Sequence, residues 1–118
     1  MFKRLKDKIG YLSMKFTIDE MLEKLPLPAD EKWIDGVWDI EPIKKGHTKL
    51  VFFAPRGKDY QTFHDEDEFY FIARGKGELV IDSKKFSCEA GDSFFVPAKV
   101  PHHFENFSDD FATWAVFF

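Results

Sequence analysis

Residues 62–75 read Thr-Phe-His-Asp-Glu-Asp-Glu-Phe-Tyr-Phe-Ile-Ala-Arg-Gly, and residues 91–106 read Gly-Asp-Ser-Phe-Phe-Val-Pro-Ala-Lys-Val-Pro-His-His-Phe-Glu-Asn. Each stretch joins a histidine to an aromatic, strand-like run. Side chains alternate between the two faces of a strand, so Glu68, Tyr70 and Ile72 share one face, and His102, Phe104 and Asn106 share another. The same parity puts Thr62 and His64 with Glu68, and turns Gln61 and His103 the opposite way.

Outward from these stretches, short apolar runs recur at Trp33–Ile40, Lys49–Ala54, Glu78–Ile81, Lys85–Glu89 and Phe111–Phe118. With Glu68–Ala73, Ser93–Val96 and His102–Phe107 they make eight expected strands. Turn-forming residues separate them, among them Lys45-Gly46, Gly75-Lys76-Gly77, Asp82-Ser83 and Ala90-Gly91-Asp92. Strands this closely spaced leave no room for crossover helices, so a sandwich or barrel is expected. Ahead of them, Phe2, Leu5, Ile9, Leu12 and Phe16 fall at helical spacing. Thr17-Ile18-Asp19-Glu20 is a capping box, with Phe16 and Met21 as its hydrophobic staple, and Pro26 and Pro28 stop that second helix. The expected organisation is a helical extension over residues 1–32 and an all-β barrel over residues 33–118.

Composition narrows the function classes. The chain has 118 residues and a net charge of −4, with no basic stripe after residue 15, which argues against nucleic acid. No apolar run is long enough for a membrane-spanning helix, and no secretory signal is visible. One cysteine, Cys88, cannot form an internal disulfide, which points to a reducing compartment, the cytoplasm. Fifteen Phe in so short a chain suggest a β-rich interior or an apolar interface, and a homodimer is expected.

The chemistry concentrates at His64, Glu68 and His102. A buried His–Glu pair can be a purely structural couple, so these residues alone leave two readings. His47 and His103 read as surface residues, and Asn106 as a turn residue. Cys88 reads as a small core hydrophobe.

The two stretches resemble the two motifs of the cupin superfamily. The first motif matches at His64, Glu68 and Gly75, and the second at Gly91, Pro97, His102 and Asn106. Thr62 stands where the first motif histidine belongs, and Lys99 replaces the second motif's inner glycine. The resemblance covers residues 33–118 and implies a double-stranded β-helix, the jelly-roll barrel. It also implies one divalent transition metal (Mn, Fe, Zn, Ni or Co) held by His64, Glu68 and His102, because two imidazoles and a carboxylate bind one face of such an ion. Thr62 would then mark an empty fourth place, so that Thr62→His should add a ligand. Thr62, Tyr70, Phe52, Phe94 and Phe104 are expected to line a pocket for a small-molecule ligand or substrate. The resemblance allows a dioxygenase- or isomerase-like enzyme. It also allows a metal-free ligand binder or sensor, or an assembly protein.

Overall fold

The computed structural model describes residues 14–118. A short helix, α1 (Ile18–Glu23), precedes eight strands: β1 (Asp39–Lys45), β2 (Thr48–Phe53), β3 (Glu68–Arg74), β4 (Lys76–Ile81), β5 (Lys84–Glu89), β6 (Ser93–Val96), β7 (His102–Glu105) and β8 (Ala112–Phe117). They form a five-stranded sheet in the order β1-β2-β8-β3-β6 and a three-stranded sheet in the order β5-β4-β7. Every strand pair is antiparallel. The all-β, jelly-roll expectation is met.

Alternation decides what lies between the sheets. Phe53 on β2, Tyr70 and Ile72 on β3, Leu79 on β4, Phe104 on β7 and Phe117 on β8 bury their side chains in one core. Phe104 sits at its centre, with ring centroids 4.9 Å from both Tyr70 and Phe111. Residues of the other parity, Phe52, Trp114 and Ala112, face outward and meet Met21 and Leu22 of α1 in a second cluster. Thr17 caps α1 as expected, its Oγ accepting from the Glu20 amide at 3.1 Å. The Glu20 side chain does not return to the Thr17 amide; its Oε1 accepts from the Thr17 hydroxyl at 3.0 Å. The helix expected over residues 2–16 falls almost wholly outside the described residues, and Met14 to Phe16 are not helical.

Seven of the eight expected strands lie within about two residues of their expected ends. The exception is Trp33–Ile40, of which only Asp39 and Ile40 are strand. Asp30 Oδ1 accepts from the amides of Lys32 and Trp33 at 3.0 and 2.6 Å, which bends the chain before the tryptophan. Gly36 then takes φ +106°, closing a turn through its N–H to the Trp33 carbonyl. Trp33 and Val37 look strand-like because their side chains are apolar. Here Trp33 is apolar for packing, its ring edge-on to Phe53 and Tyr60. The strand begins later and runs through Pro42, where the pairing with β2 shifts register. An edge strand tolerates a proline at such a bulge.

The motif glycine Gly75 links β3 to β4 at φ +76°, and a Cβ there would lie 2.9 Å from the Phe111 Cα. Only glycine lets these two segments approach so closely.

Candidate metal centre

Two segments carry the histidines, and backbone bonds lay them side by side. The His102 amide donates to the Thr62 carbonyl at 2.7 Å, and the Lys99 amide donates to the His64 carbonyl at 2.6 Å. Lys99 adopts φ +65°, which is why glycine suits this position in the family motif. Glu68 opens β3 and His102 opens β7, so both point into the barrel beneath the loop that bears His64.

The structure brings the three expected ligands together. One donor atom from each of His64, Glu68 and His102 lies within 4.8 Å of the others. His102 Nε2 is 3.0 Å from Glu68 Oε1, and both side chains are almost fully buried. Despite that distance the contact lacks hydrogen-bond geometry, and neither atom has another partner. His102 Nδ1 is 2.9 Å from the Val100 carbonyl, which can only accept, so Nδ1 carries a proton. A neutral His102 therefore aims a lone pair at a carboxylate oxygen. Two buried acceptors in contact require a cation, either a proton on His102 or a metal ion.

The electrostatics express the same demand. Burial by itself would lower the His102 pKa, but the Glu68 carboxylate, the Val100 carbonyl and the charge of Asp59 together raise it. His64 is lowered, chiefly by burial, against the pull of Glu68. A neutral imidazole is the form that binds a metal. The donor set fits a divalent transition ion: two nitrogens and one oxygen, with Glu68 and His102 buried and His64 half-buried.

A cavity of about 260 Å³ is bordered by His64 and Glu68 of this cluster, while His102 borders a second hollow. The walls of the cavity include Trp33, Val51, Phe53, Tyr70 and Phe117, with Lys49 and Gln61 among the polar groups. Of the five expected pocket residues, only Tyr70 lines it. Phe52 has the wrong parity and is buried under α1; its neighbours Val51 and Phe53 take that role. Phe104 lies in the closed core. Phe94, on β6, packs beside Phe86 of β5. Thr62 is exposed and borders not this cavity but the second hollow, of about 360 Å³, shared with Gln61 and His102; its carbonyl holds the His102 amide.

Gln61 is the residue that parity misjudged. Residues 54–67 contain no strand, so the alternation that turned Gln61 away does not operate there. Its Oε1 is 3.0 Å from His64 Nε2 and accepts from the Tyr70 hydroxyl at 3.2 Å. Its Nε2 donates to Asp59 Oδ2 at 2.6 Å, and Asp59 in turn accepts from the Phe104 amide at 2.8 Å. Asp59 is buried, and burial raises its pKa. The signal in the sequence was the polar run Asp59-Tyr60-Gln61 flanking the histidine on the side where no strand pattern held.

The remaining residues singled out by sequence sit elsewhere. His47 is exposed, and His103 Nε2 pairs with Glu105 Oε2 at 3.0 Å outside the cavity. Asn106 adopts φ +52° and its amide donates to Glu78. Cys88 is buried, and burial pushes its thiol up to about 11, so it carries no thiolate at neutral pH. Within Asp65–Asp67, Glu66 pairs with Lys49 at 3.0 Å and Asp67 accepts from the Ala98 amide at 2.8 Å. Among the described residues no helix is long and apolar enough to cross a membrane.

Comparison with known proteins agrees with the barrel fold. Over 43 residues the chain is 37% identical to uncharacterized protein MJ1618 of Methanocaldococcus jannaschii, a match covering 36% of this chain and about a third of that protein. A Cupin 2 conserved barrel domain protein from Salinispora arenicola superposes with a TM-score of 0.59 at 22% identity, covering 68% of this chain and 73% of the other. An RmlC-like cupin family protein with a double-stranded β-helix fold, from Methanocaldococcus jannaschii, superposes with a TM-score of 0.56 at 18% identity over 64% and 72% of the two chains. Residues 49–118, more than half of the chain, match the family described as the cupin domain. This chain is therefore a member of the cupin family.

Proposed function

We propose that the protein holds one divalent transition metal through His64, Glu68 and His102 and uses it to bind or transform a small organic molecule in the adjoining cavity. The observation that carries this reading is the convergence of one donor atom each from His64, Glu68 and His102 within 4.8 Å of one another, with His102 Nε2 3.0 Å from Glu68 Oε1 in the interior. When bound, the ion would supply Lewis acidity or, if redox-active, oxygen activation. The chain's own part is to orient the donors and to shape the pocket. Val100 fixes the ring of His102, Phe117 packs edge-on against His64 at 4.9 Å, and Trp33, Val51 and Phe53 exclude water from one wall. Tyr70 stays a neutral hydroxyl, since burial lifts its pKa well above the usual phenol range.

Elemental analysis of purified protein tests the loading, with one ion per chain expected. Glu68→Gln separates chemistry from binding. It leaves the cavity walls in place but removes the negative ligand, so an enzyme loses turnover far more than it loses ligand affinity. A binder loses both together, and a fully active protein without metal contradicts the proposal.

A homodimer also belongs to this reading, supported by an exposed aromatic patch on the outer face of the large sheet. Phe69, Phe71, Phe95 and Phe118 are each at least 39% exposed, and Phe69 stacks on Phe118 at 5.4 Å. Clustered apolar surface of this kind marks association sites. Light scattering across a dilution series checks it: a dimer is expected, and Phe69→Ser with Phe95→Ser should shift it to monomer. A wild-type protein with the mass of one chain at every concentration contradicts the dimer. The single buried thiol supports a cytoplasmic location.

A further inference from the structure

We infer that Gln61 is a fourth protein ligand, its amide oxygen taking the place left by the motif histidine that the chain lacks. The inference rests on the metal site proposed above and extends it by one residue. Around an octahedral ion with bonds of about 2.1 Å, neighbouring donor atoms lie roughly 3.0 Å apart. The structure contains two contacts of this length: Glu68 Oε1 to His102 Nε2 at 3.0 Å, and the hydrogen bond between His64 Nε2 and Gln61 Oε1 at 3.0 Å, whose shared proton an ion would replace. Gln61 also lines the cavity beside His64 and Glu68.

The surroundings suit the amide to this role. Asp59 can only accept, so it takes the NH₂ end and commits Oε1 to the His64 side. The backbone amide of Gln61 adds a bond to Asp59 Oδ1 at 3.0 Å, and the Phe104 amide anchors the same carboxylate from β7. A buried carboxylate behind the NH₂ polarises the amide and makes its oxygen a better donor, as outer partners do for metal-bound histidines. The Tyr70 hydroxyl takes one lone pair of Oε1 and the His64 ring N–H the other, which an ion would take in place of that proton once His64 binds through Nε2. Thr62 is exposed and meets the site through its backbone carbonyl, which accepts from the His102 amide.

The chain has a single glutamine, so protein labelled with ¹³C at the glutamine side-chain carbonyl gives one resonance, that of Gln61. Titration of the full chain with zinc should shift it together with the imidazole resonances. Chelator competition should show zinc affinity at least ~10-fold lower in Gln61→Ala, the low end of what even an outer partner contributes. Gln61→Glu should bind at least as tightly as wild type, and Thr62→His no more tightly. Zinc binding that moves the imidazoles but not the glutamine carbonyl overturns ligation by Gln61 and leaves the three-residue site standing. If Gln61→Ala is then also weakened, Gln61 only positions His64. A wild-type chain that binds no zinc removes both the inference and the site beneath it.

Discussion

His102→Ala is expected to lower divalent metal affinity by at least ~100-fold, because loss of a direct ligand exceeds the 10–100-fold cost of losing an outer partner. The side chain is deeply buried against Glu68, so its removal also strands a carboxylate. His64→Ala provides the companion variant, since His64 is only half-buried and leaves the His102–Glu68 contact intact. Both should keep the β-sheet circular dichroism of the wild type while losing metal in a chelator competition. The wild-type pH profile has a sign fixed by His102. Its raised pKa means that, without metal, its pairing with Glu68 stabilises the fold fully below the ordinary histidine value of about 6.5. That contribution disappears as pH climbs through the raised value. A metal must displace the same proton. Affinity should therefore rise by up to about tenfold per pH unit below that pKa and level off above it. His64, with its lowered pKa, adds no proton to displace near neutrality. A pH-independent affinity would mean that His102 is not a ligand.

Phe104→Ala is expected to cost about 3–5 kcal/mol, the range for an aromatic removed from a closed core. For a chain of this size the melting temperature should fall by on the order of 10–20 °C. Phe104 has 1% exposure and touches Tyr70, Phe53 and Phe111 rather than the cavity. Metal affinity of the fraction that remains folded should stay within about threefold of wild type, because the Phe104 amide that holds Asp59 is backbone and survives the substitution. Thermal unfolding monitored with and without zinc reads both quantities. A stable Phe104→Ala with weakened ligand binding would instead make Phe104 a pocket wall.

These two residues show what was legible in the sequence and what was not. His102 and Glu68 stand at the first positions of strands, where alternation is reliable, and the structure places both inward as their parity requires. Phe104 was correctly assigned to the inner face, but inner-face residues divide between a closed core and an open cavity, and parity does not distinguish depth. Phe52 failed for a different reason. Its strand is half covered by α1 on the outer face, so both faces are apolar and hydrophobicity stops reporting which one is the interior. Trp33 and Gln61 lie in loops, where side-chain direction follows local hydrogen bonds to Asp30 and Asp59. No periodicity encodes those bonds, and with Gln61 the sequence reading passed over a residue that lines the cavity beside His64. Thr62 was misplaced by the same step: the loop presents its carbonyl, not its side chain, to His102.

The most direct measurement is an anomalous difference map from crystals of the full chain soaked in manganese(II). One peak per chain is expected, bounded by His64, Glu68 and His102. No peak there in crystals with an accessible cavity, with His102 and Glu68 joined by a well-formed hydrogen bond, would show that the pair is a structural couple and that the site holds no metal.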